Sequence, residues 1–498
     1  MSAETVRIQL EPLSVSIEVP RGALLQSALS EHGIEFPCGG TAQCGGCGVR
    51  LLSGSLSITD QDRSVFRDVE LAGGWRLACQ AYAKTPLVLE CGQWRMDILA
   101  DNVTLAGAGK PGLGIAIDLG TTTIAAQMID RATGSVLAVE TDLNPQASFG
   151  SDVMSRVRAA LTGANLAAVI HIALRRMIVN LAAGREREVA EVVLVGNTVM
   201  HHLFAGLDVE PLSHAPFHPP HLGEQEFSPQ DLDWPLPSSC RIRFLRCLGG
   251  FVGSDILAGI HAVSMPAADD LMALIDLGTN GEIVIGNRHG MVCASTAAGP
   301  AFEAGSIRMG MRAVTGAISR VLFENGQMRA MVIGDGEPRG ICGSGLVDAV
   351  AAGLESGAIL PSGRIADGSK IFPVQAPVVL YQSDIRELQL AKSAIASGFR
   401  LLLKHLGATA ADVHGLYLAG AFGNYVQIDS AIAVGMLELP RERIHAAGNT
   451  ALRGAKMLLL STSEPAVPAI EHVSLASDAE FQDEFVNCMT FTGAANYV

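Results

Sequence analysis

Apolar and polar residues alternate in VRIQLEP (6–12) and VSIEVP (15–20), which predicts two strands of a hairpin joined at Leu13-Ser14. ALLQSALSEHG (23–33) then places its apolar positions at helical spacing, and Gly33 stands where a helix C-cap glycine belongs. GVRLLSG (48–54) and TPLVLEC (85–91) read as further strands, the second closing a small sheet around one helix. DNVTLAGAGKPGLG (101–114) is glycine-rich with little to bury and reads as an interdomain linker. Its GAGKPG lacks phosphate-loop spacing.

Beyond the linker the apolar pattern repeats. GIAIDLGTTTIAAQMID (114–130) and MALIDLGTNGEIVIG (272–286) are each an apolar strand ending in Asp-Leu-Gly-Thr, a tight turn and a second strand, so Asp118 and Asp276 are equivalent. Each is followed by another apolar strand that ends in a small-residue turn, EVVLVGNTVMHHLF (191–204) and GLYLAGAFGNYV (415–426). Two similar halves therefore follow one another, at 114–270 and 271–498, after a first domain at 1–95 and a linker at 96–113.

Between the halves, residues 211–237 hold seven of the 22 prolines and read as surface loop, with His214, His218 and His221 as solvated side chains. The doublet His201-His202 follows the turn Gly196-Asn197-Thr198 and is expected near the cleft.

With 498 residues, 49% of them hydrophobic, the chain has material for two to four domains. Its formal charge of −15 disfavours nucleic acid and anionic membranes as partners. The start has no basic segment followed by an apolar one, and no apolar run reaches membrane-spanning length, which predicts a cytoplasmic protein. Ten cysteines are too few for a disulfide scaffold. Cys91, Cys240, Cys247, Cys293, Cys342 and Cys488 are scattered and read as small buried hydrophobes.

The other four are Cys38, Cys44 and Cys47 in PCGGTAQCGGC, with Cys79 in RLACQ, a Cys-x5-Cys-x2-Cys pattern and a distant fourth thiol. Zinc sites usually pair two Cys-x2-Cys knuckles, and a cytoplasmic setting disfavours disulfides. A 2Fe-2S cluster needs four thiolates and inward-pointing backbone N–H groups, which Gly39, Gly40, Gly45 and Gly46 permit. The segment resembles β-grasp 2Fe-2S ferredoxins of the adrenodoxin-like spacing, proteins that carry one electron at a time.

A strand ending in Asp and turning through Gly-Thr-Thr-Thr sets a carboxylate beside amide and hydroxyl donors, which suits magnesium and phosphate. Two such turns would clamp one triphosphate. The pattern resembles the superfamily of acetate and sugar kinases, heat-shock chaperones and actin, which implies an α/β (α+β) chain: a β-grasp ferredoxin joined to a duplicated ribonuclease H-like ATPase. Carried onto this sequence, the first phosphate motif is Asp118 to Thr123 (Gly120, Thr121, Thr122, Thr123). The second is Asp276 to Glu282 (Gly278, Thr279, Asn280). The adenosine motif is Leu418 to Gly423 (Gly420, Ala421, Phe422, Gly423). Asp118 would hold magnesium, and Asp276 would do so or orient water.

NPQASFGSDVMSRV (144–157), GNTVMHHLFAG (196–206), GGFVGSDILAGI (249–260), ASTAAGPAFEAGSIRMGMRAVTGAI (294–318) and ICGSGLVDAVA (341–351) sharpen this. Together they look like the reductive activators of corrinoid-dependent methyltransferases. That resemblance implies ATP-dependent reduction of a corrinoid protein from cobalt(II) to cobalt(I). Plant-type clusters lie near about −400 mV, and each uphill gap of about 59 mV costs tenfold in a one-electron equilibrium, which gives a reason to join an electron carrier to an ATPase. An upstream electron donor is implied, and a homodimer would let the cluster visit a second subunit. The cobalt-facing surface is expected in the loop after the second motif, at Ser295 and Thr296. Two other readings fit less of the chain: a small-molecule kinase with a redox sensor, and an electron-transfer adaptor whose ATPase fold only binds a partner.

Overall fold

The computed structural model describes residues 4–11, 15–30, 36, 40, 42, 47–66, 68–91, 101, 103–150, 152–278, 280–313, 316–335, 337–461 and 466–492. Cys38, Cys44, Gly33, Gly39, Gly45, Gly46 and Thr279 lie outside these residues.

In the first domain, strands β1 (Thr5–Glu11), β2 (Val15–Pro20), β3 (Gly48–Ser53), β4 (Trp75–Leu77) and β5 (Leu87–Cys91) form one sheet in the order β2-β1-β5-β3-β4. β5, the last strand of this sheet in chain order, is central in it because it pairs parallel with β1 and antiparallel with β3. The alternation in β1 buries Val6, Ile8 and Leu10 against Leu25 and Leu29 of helix α1 (Leu25–Ser30).

The next sheet comprises β6 (Leu113–Leu119), β7 (Thr123–Asp130), β8 (Val136–Leu143), β9 (Val189–Val195), β10 (Gln225–Phe227) and β11 (Arg241–Phe244), in the order β8-β7-β6-β9-β11-β10. β6 and β9 are near-continuous apolar runs because they pair in parallel at the sheet's centre and are covered on both faces. Edge strand β8 alternates instead. Helices α2 (Val153–Leu161), α3 (Leu166–Ala182) and α4 (Thr198–Ala205) pack on this lobe's core, and α5 (Ser254–Ala262) follows β11. The proline-rich stretch contributes β10 to the sheet edge, an element its prolines obscure in the sequence.

The second lobe repeats the plan. β12 (Leu271–Leu277), β13 (Gly281–Asn287), β14 (Gly290–Thr296), β15 (Val413–Ala419), β16 (Ile444–Gly448) and β17 (Ile470–His472) run in the order β16-β15-β12-β13-β14-β17. Five neighbours match: β8-β7-β6-β9-β11 in one lobe corresponds to β14-β13-β12-β15-β16 in the other. Among the helices in this part of the chain are α6 (Gly343–Glu355), α7 (Gln382–His405), α8 (Gly420–Tyr425) and α9 (Thr450–Leu460).

Two helices are exchanged between the lobes. Ile256 and Ile260 of α5 pack with Leu274 and Val284 of the second sheet. Leu452, Ala455 and Leu459 of α9 pack with Ala116, Val193 and Val195 of the first. The two helices cross closely where Gly454 meets α5: a Cβ there would stand 1.9 Å from the Ala258 carbonyl oxygen.

The ferredoxin-like domain rests on both lobes. Helix α1 lies against residues 145–149 of the first. On the second, Arg339 reaches Glu90 at 3.7 Å and sits 5.5 Å from the centre of the Trp75 ring. Among the described residues no single helix is long and apolar enough to cross a membrane.

Candidate functional site

Asp118 and Asp276 occupy one position in the two sheets. Asp118 is the penultimate residue of β6, beside Val195 of β9, and Asp276 the penultimate residue of β12, beside Ala419 of β15. Past Asp118 the chain turns through Gly120, where a Cβ would lie 2.6 Å from the Thr123 carbonyl oxygen. The turn is braced from behind: Asn144 Nδ2 donates to the Gly120 carbonyl at 2.8 Å, and Asn197 Nδ2 donates to Thr121 Oγ1 at 2.8 Å. Thr121, Thr122 and Thr123 remain partly exposed at this edge.

A third carboxylate enters from α5. Gly253 permits the approach, since a Cβ there would lie 2.1 Å from the Gly196 carbonyl, which accepts from Ser254 N at 2.9 Å. Asp255, in the first turn of α5, thereby comes within electrostatic reach of both Asp118 and Asp276. A fourth, Glu282, stands opposite Asp276 on β13 and is buried. The equivalent position in the first lobe, opposite Asp118, is Ala125, so the duplication is asymmetric in charge.

Burial pushes the Asp118 carboxyl up to about 6, although a hydrogen bond from Asn449 Nδ2 at 2.9 Å opposes the rise. Burial, then the charge of Asp118, pushes Asp276 up to about 7. Asp255 and Glu282 are raised well above the usual carboxylate range, first by burial and then by neighbouring carboxylates. Such a group is short of positive charge, and a divalent cation with a nucleotide suits it. Among the described residues no three His, Cys, Asp or Glu side chains converge closely enough to ligate one metal directly. A magnesium ion here would keep most of its water shell, in line with that ion's reluctance to dehydrate.

On the opposite side of Asp276 lies α8. Residues 420–425 form a short helix where the sequence reading expected a turn, because Gly420 takes φ +79° and lets the chain coil directly out of β15. Phe422 is buried and stacks on Phe302 at 4.6 Å, while Ala421 is exposed and Gly423 is buried. Gly278 donates its N–H to the Asn280 carbonyl at 3.0 Å, closing the second turn.

Ser295 is not in a loop, as expected, but near the end of strand β14, because the antiparallel pairing with β13 continues to Thr296. Its hydroxyl donates to Glu282 at 3.5 Å, and Thr296 Oγ1 donates to the Gly281 carbonyl at 3.2 Å. Asp276, Glu282 and Ser295 thus form a row across three strands.

His201 and His202 belong to the core of the first lobe, away from the role expected for them. Both are fully buried in α4. His201 meets Phe244 edge-on at 5.0 Å, and His202 Nδ1 donates to the Thr198 carbonyl at 2.8 Å. Burial pushes His201 down to about 4, so the ring is neutral.

In the ferredoxin-like domain, Cys47 and Cys79 are buried, and the two thiols share a hydrogen bond that draws Cys79 down to about 6. Gln80 Nε2 lies 3.7 Å from the Cys79 sulfur and 3.3 Å from the Gly40 carbonyl oxygen, and Gly40 takes φ +88°. A Cys79 thiol of lowered pKa beside Cys47, in a glycine-permitted cradle, fits thiolate ligation of an iron–sulfur cluster. Cys91, Cys240, Cys247, Cys293, Cys342 and Cys488 are all buried. Burial raises the thiols of Cys91, Cys240, Cys247 and Cys293 to about 12 and that of Cys488 to about 11, as expected of packing residues.

Comparison with known proteins follows the same division. Residues 8–84 match the 2Fe-2S iron-sulfur cluster binding domain, 113–268 the RACo middle region, and 270–496 the C-terminal domain of RACo, the ASKHA domain. The corrinoid activation enzyme RamQ of Eubacterium limosum is 34% identical over 420 residues, 76% of this chain and 70% of its own length. The [Co(II) methylated amine-specific corrinoid protein] reductase of Methanosarcina barkeri is 28% identical, spanning 70% of each chain. A solved structure of a reductive activator for corrinoid, iron-sulfur protein superposes over 98% of both chains at 25% identity, with a TM-score of 0.65.

Proposed function

The chain belongs to the RACo family of corrinoid-activating enzymes, and on that premise we propose that its two carboxylate-ended turns form the Mg-ATP site that drives reduction of a corrinoid protein. The protein is an ATP-dependent reductive activator: one electron passes from its 2Fe-2S domain to the cobalt(II) of a bound corrinoid protein, giving cobalt(I).

The observation that carries the site assignment is the shared register of Asp118 and Asp276, with Asp255 within electrostatic reach of both. Asp118 holds the hydrated magnesium. Thr121, Thr122 and Thr123 offer hydroxyls and amides to phosphate oxygens; on the other lobe Thr279 and Asn280 take that role, and Gly278, whose N–H closes the turn, shapes it. Asp276 orients water toward the terminal phosphate. Gly420 to Gly423 admit the nucleoside beside Phe422. Cys38, Cys44, Cys47 and Cys79 hold the cluster, whose chemistry is single-electron transfer. Ser295, in a row with Glu282, is the hydroxyl offered toward the corrin.

ATP can drive this transfer only if it binds the two conformations of the cleft unequally. The exchanged helices suit that, since α5 and α9 each pack on the opposite lobe's sheet and so tie the two lobes together. The cluster would be held within a domain that touches both lobes, so its position responds to the cleft. The test is to mix the protein, a cobalt(II) corrinoid protein, a one-electron donor and Mg-ATP, and to follow cobalt(I) absorbance. Formation that is indifferent to ATP across a panel of corrinoid partners would defeat the reading. Stoichiometric phosphorylation of a metabolite would replace it with a kinase.

A further inference from the structure

The Asn449 side chain joins two elements. Its Oδ1 accepts from Leu452 N at 2.8 Å and so caps α9, while its Nδ2 donates to Asp118 Oδ2 at 2.9 Å. The first residue of the next turn and the one three further on, Arg453 and Lys456, hold a different carboxylate. Arg453 Nε lies 2.9 Å from Asp101 Oδ1, and Lys456 Nζ lies 2.7 Å from Asp101 Oδ2. This pair is sealed: the side chains of Asp101 and Lys456 are 1% and 0% exposed. Lys456 also donates to the Val103 carbonyl at 2.6 Å, and Gln127 Nε2 donates to the Asp101 carbonyl at 2.6 Å.

Asp101 was expected to lie in a loose linker. It is the first described residue after β5 of the ferredoxin-like domain, so this buried network fixes where the tether meets the ATPase lobes. A flexible joint between domains needs no such anchor. A buried ion pair adds little stability over an apolar pair, yet it penalises any displacement that separates its members. It therefore suits transmission of position better than simple adhesion.

We propose that Asn449 is a positioning residue for Asp118, and that α9 carries the state of that carboxylate to Asp101, so that metal-nucleotide in the cleft resets the tether of the iron–sulfur domain. The proposal rests on the nucleotide site assigned above. When Asp118 turns toward the water shell of a bound magnesium ion, the Asn449 amide that it accepts from moves or lets go. Asn449 begins a rigid helix, and Lys456 lies about 10 Å further along its axis. A shift at the cap therefore reaches Asp101, which follows because its partners are enclosed. Close contact at Gly454 holds α9 against α5.

Hydrogen–deuterium exchange on the full, cluster-loaded chain tests this without corrinoid, comparing Mg-ATP with EDTA. In the natural protein, nucleotide should change amide exchange both at 118–123 and at 101–106, each by about fivefold or more. Asn449→Ser keeps a good helix cap but removes the amide donor. It should retain the change at 118–123 and lose that at 101–106. Asp101→Asn should keep ATP hydrolysis within about twofold and lose ATP stimulation of corrinoid reduction. A response at 101–106 in Asn449→Ser equal to that of the natural protein would overturn the proposal. So would a natural protein that responds at 118–123 alone. No response at 118–123 in the natural protein would instead remove the nucleotide site, and this proposal with it.

Discussion

Gly420 is placed against Asp276 so tightly that a Cβ at Gly420 would stand 2.4 Å from the Asp276 carboxylate oxygen and 2.7 Å from the Leu277 carbonyl oxygen. The same residue takes φ +79°, a left-handed conformation that costs a side-chain-bearing residue about 1–2 kcal/mol. Gly420→Ala should therefore push the carboxylate out of register with Asp118. Calorimetric titration with Mg-ATP should show affinity lowered by about tenfold or more, with the iron–sulfur absorption unchanged.

Asp118→Asn and Asp276→Asn each keep the shape of the site and remove the charge. If the carboxylates act on Mg-ATP, ATP-stimulated cobalt(I) formation should fall by about 100-fold, a loss typical of removing one electrostatic partner from a reaction centre. Electron delivery that survives both substitutions would favour a passive adaptor.

Burial raises the Asp118 carboxyl to about 6, and burial with the charge of Asp118 raises Asp276 to about 7, both above the ordinary carboxylate range. The folded protein thus keeps protons that the unfolded chain releases, and the stability these groups lend is lost as pH rises from about 4 through about 7. Magnesium binds the charged carboxylates, so its affinity should rise over the same interval. Thermal melts in EDTA should show Tm declining toward neutral pH from this source, and Mg-ADP should raise Tm more at about pH 8 than at about pH 5.

Cys79 lies in a core built from residues 6–91, separate from the cores of the two lobes. Cys79→Ala should remove the visible absorption of the iron–sulfur centre while leaving nucleotide affinity within about twofold, because the link through α9 ends at Asp101 and does not involve the cysteine cradle.

What the sequence discloses depends on whether the signal is local. The duplicated strand ending in Asp, the alternation of β1 and the cysteine spacing each lie within a few residues, and the fold drawn from them matches the sheets. Of the candidate site, Asp118 and Asp276 are readable in the same way. Asp255 is not, although GGFVGSDILAGI is a recognisable block, because only the closeness of Gly253 to Gly196 turns its helix end toward both turns. Glu282 requires the register of β13 against β12, and Asn449 stands 331 residues from its partner. His201 and His202 mislead for the opposite reason: proximity in sequence to a cleft-edge turn says nothing about which face of α4 is buried. The Asp101 anchor is hidden by a glycine-rich neighbourhood that reads as linker.

The exchange of α5 and α9 bears on how the chain is made. When the first lobe has left the ribosome, its sheet still lacks the cover that Leu452, Ala455 and Leu459 supply, and Asp118 still lacks Asn449. Neither can form until α9, more than 300 residues beyond Asp118, has been synthesised. A chain terminated before α9 would therefore present half a cleft with one bare apolar face, a form that quality-control proteases can recognise, and only a chain that includes α9 would engage nucleotide.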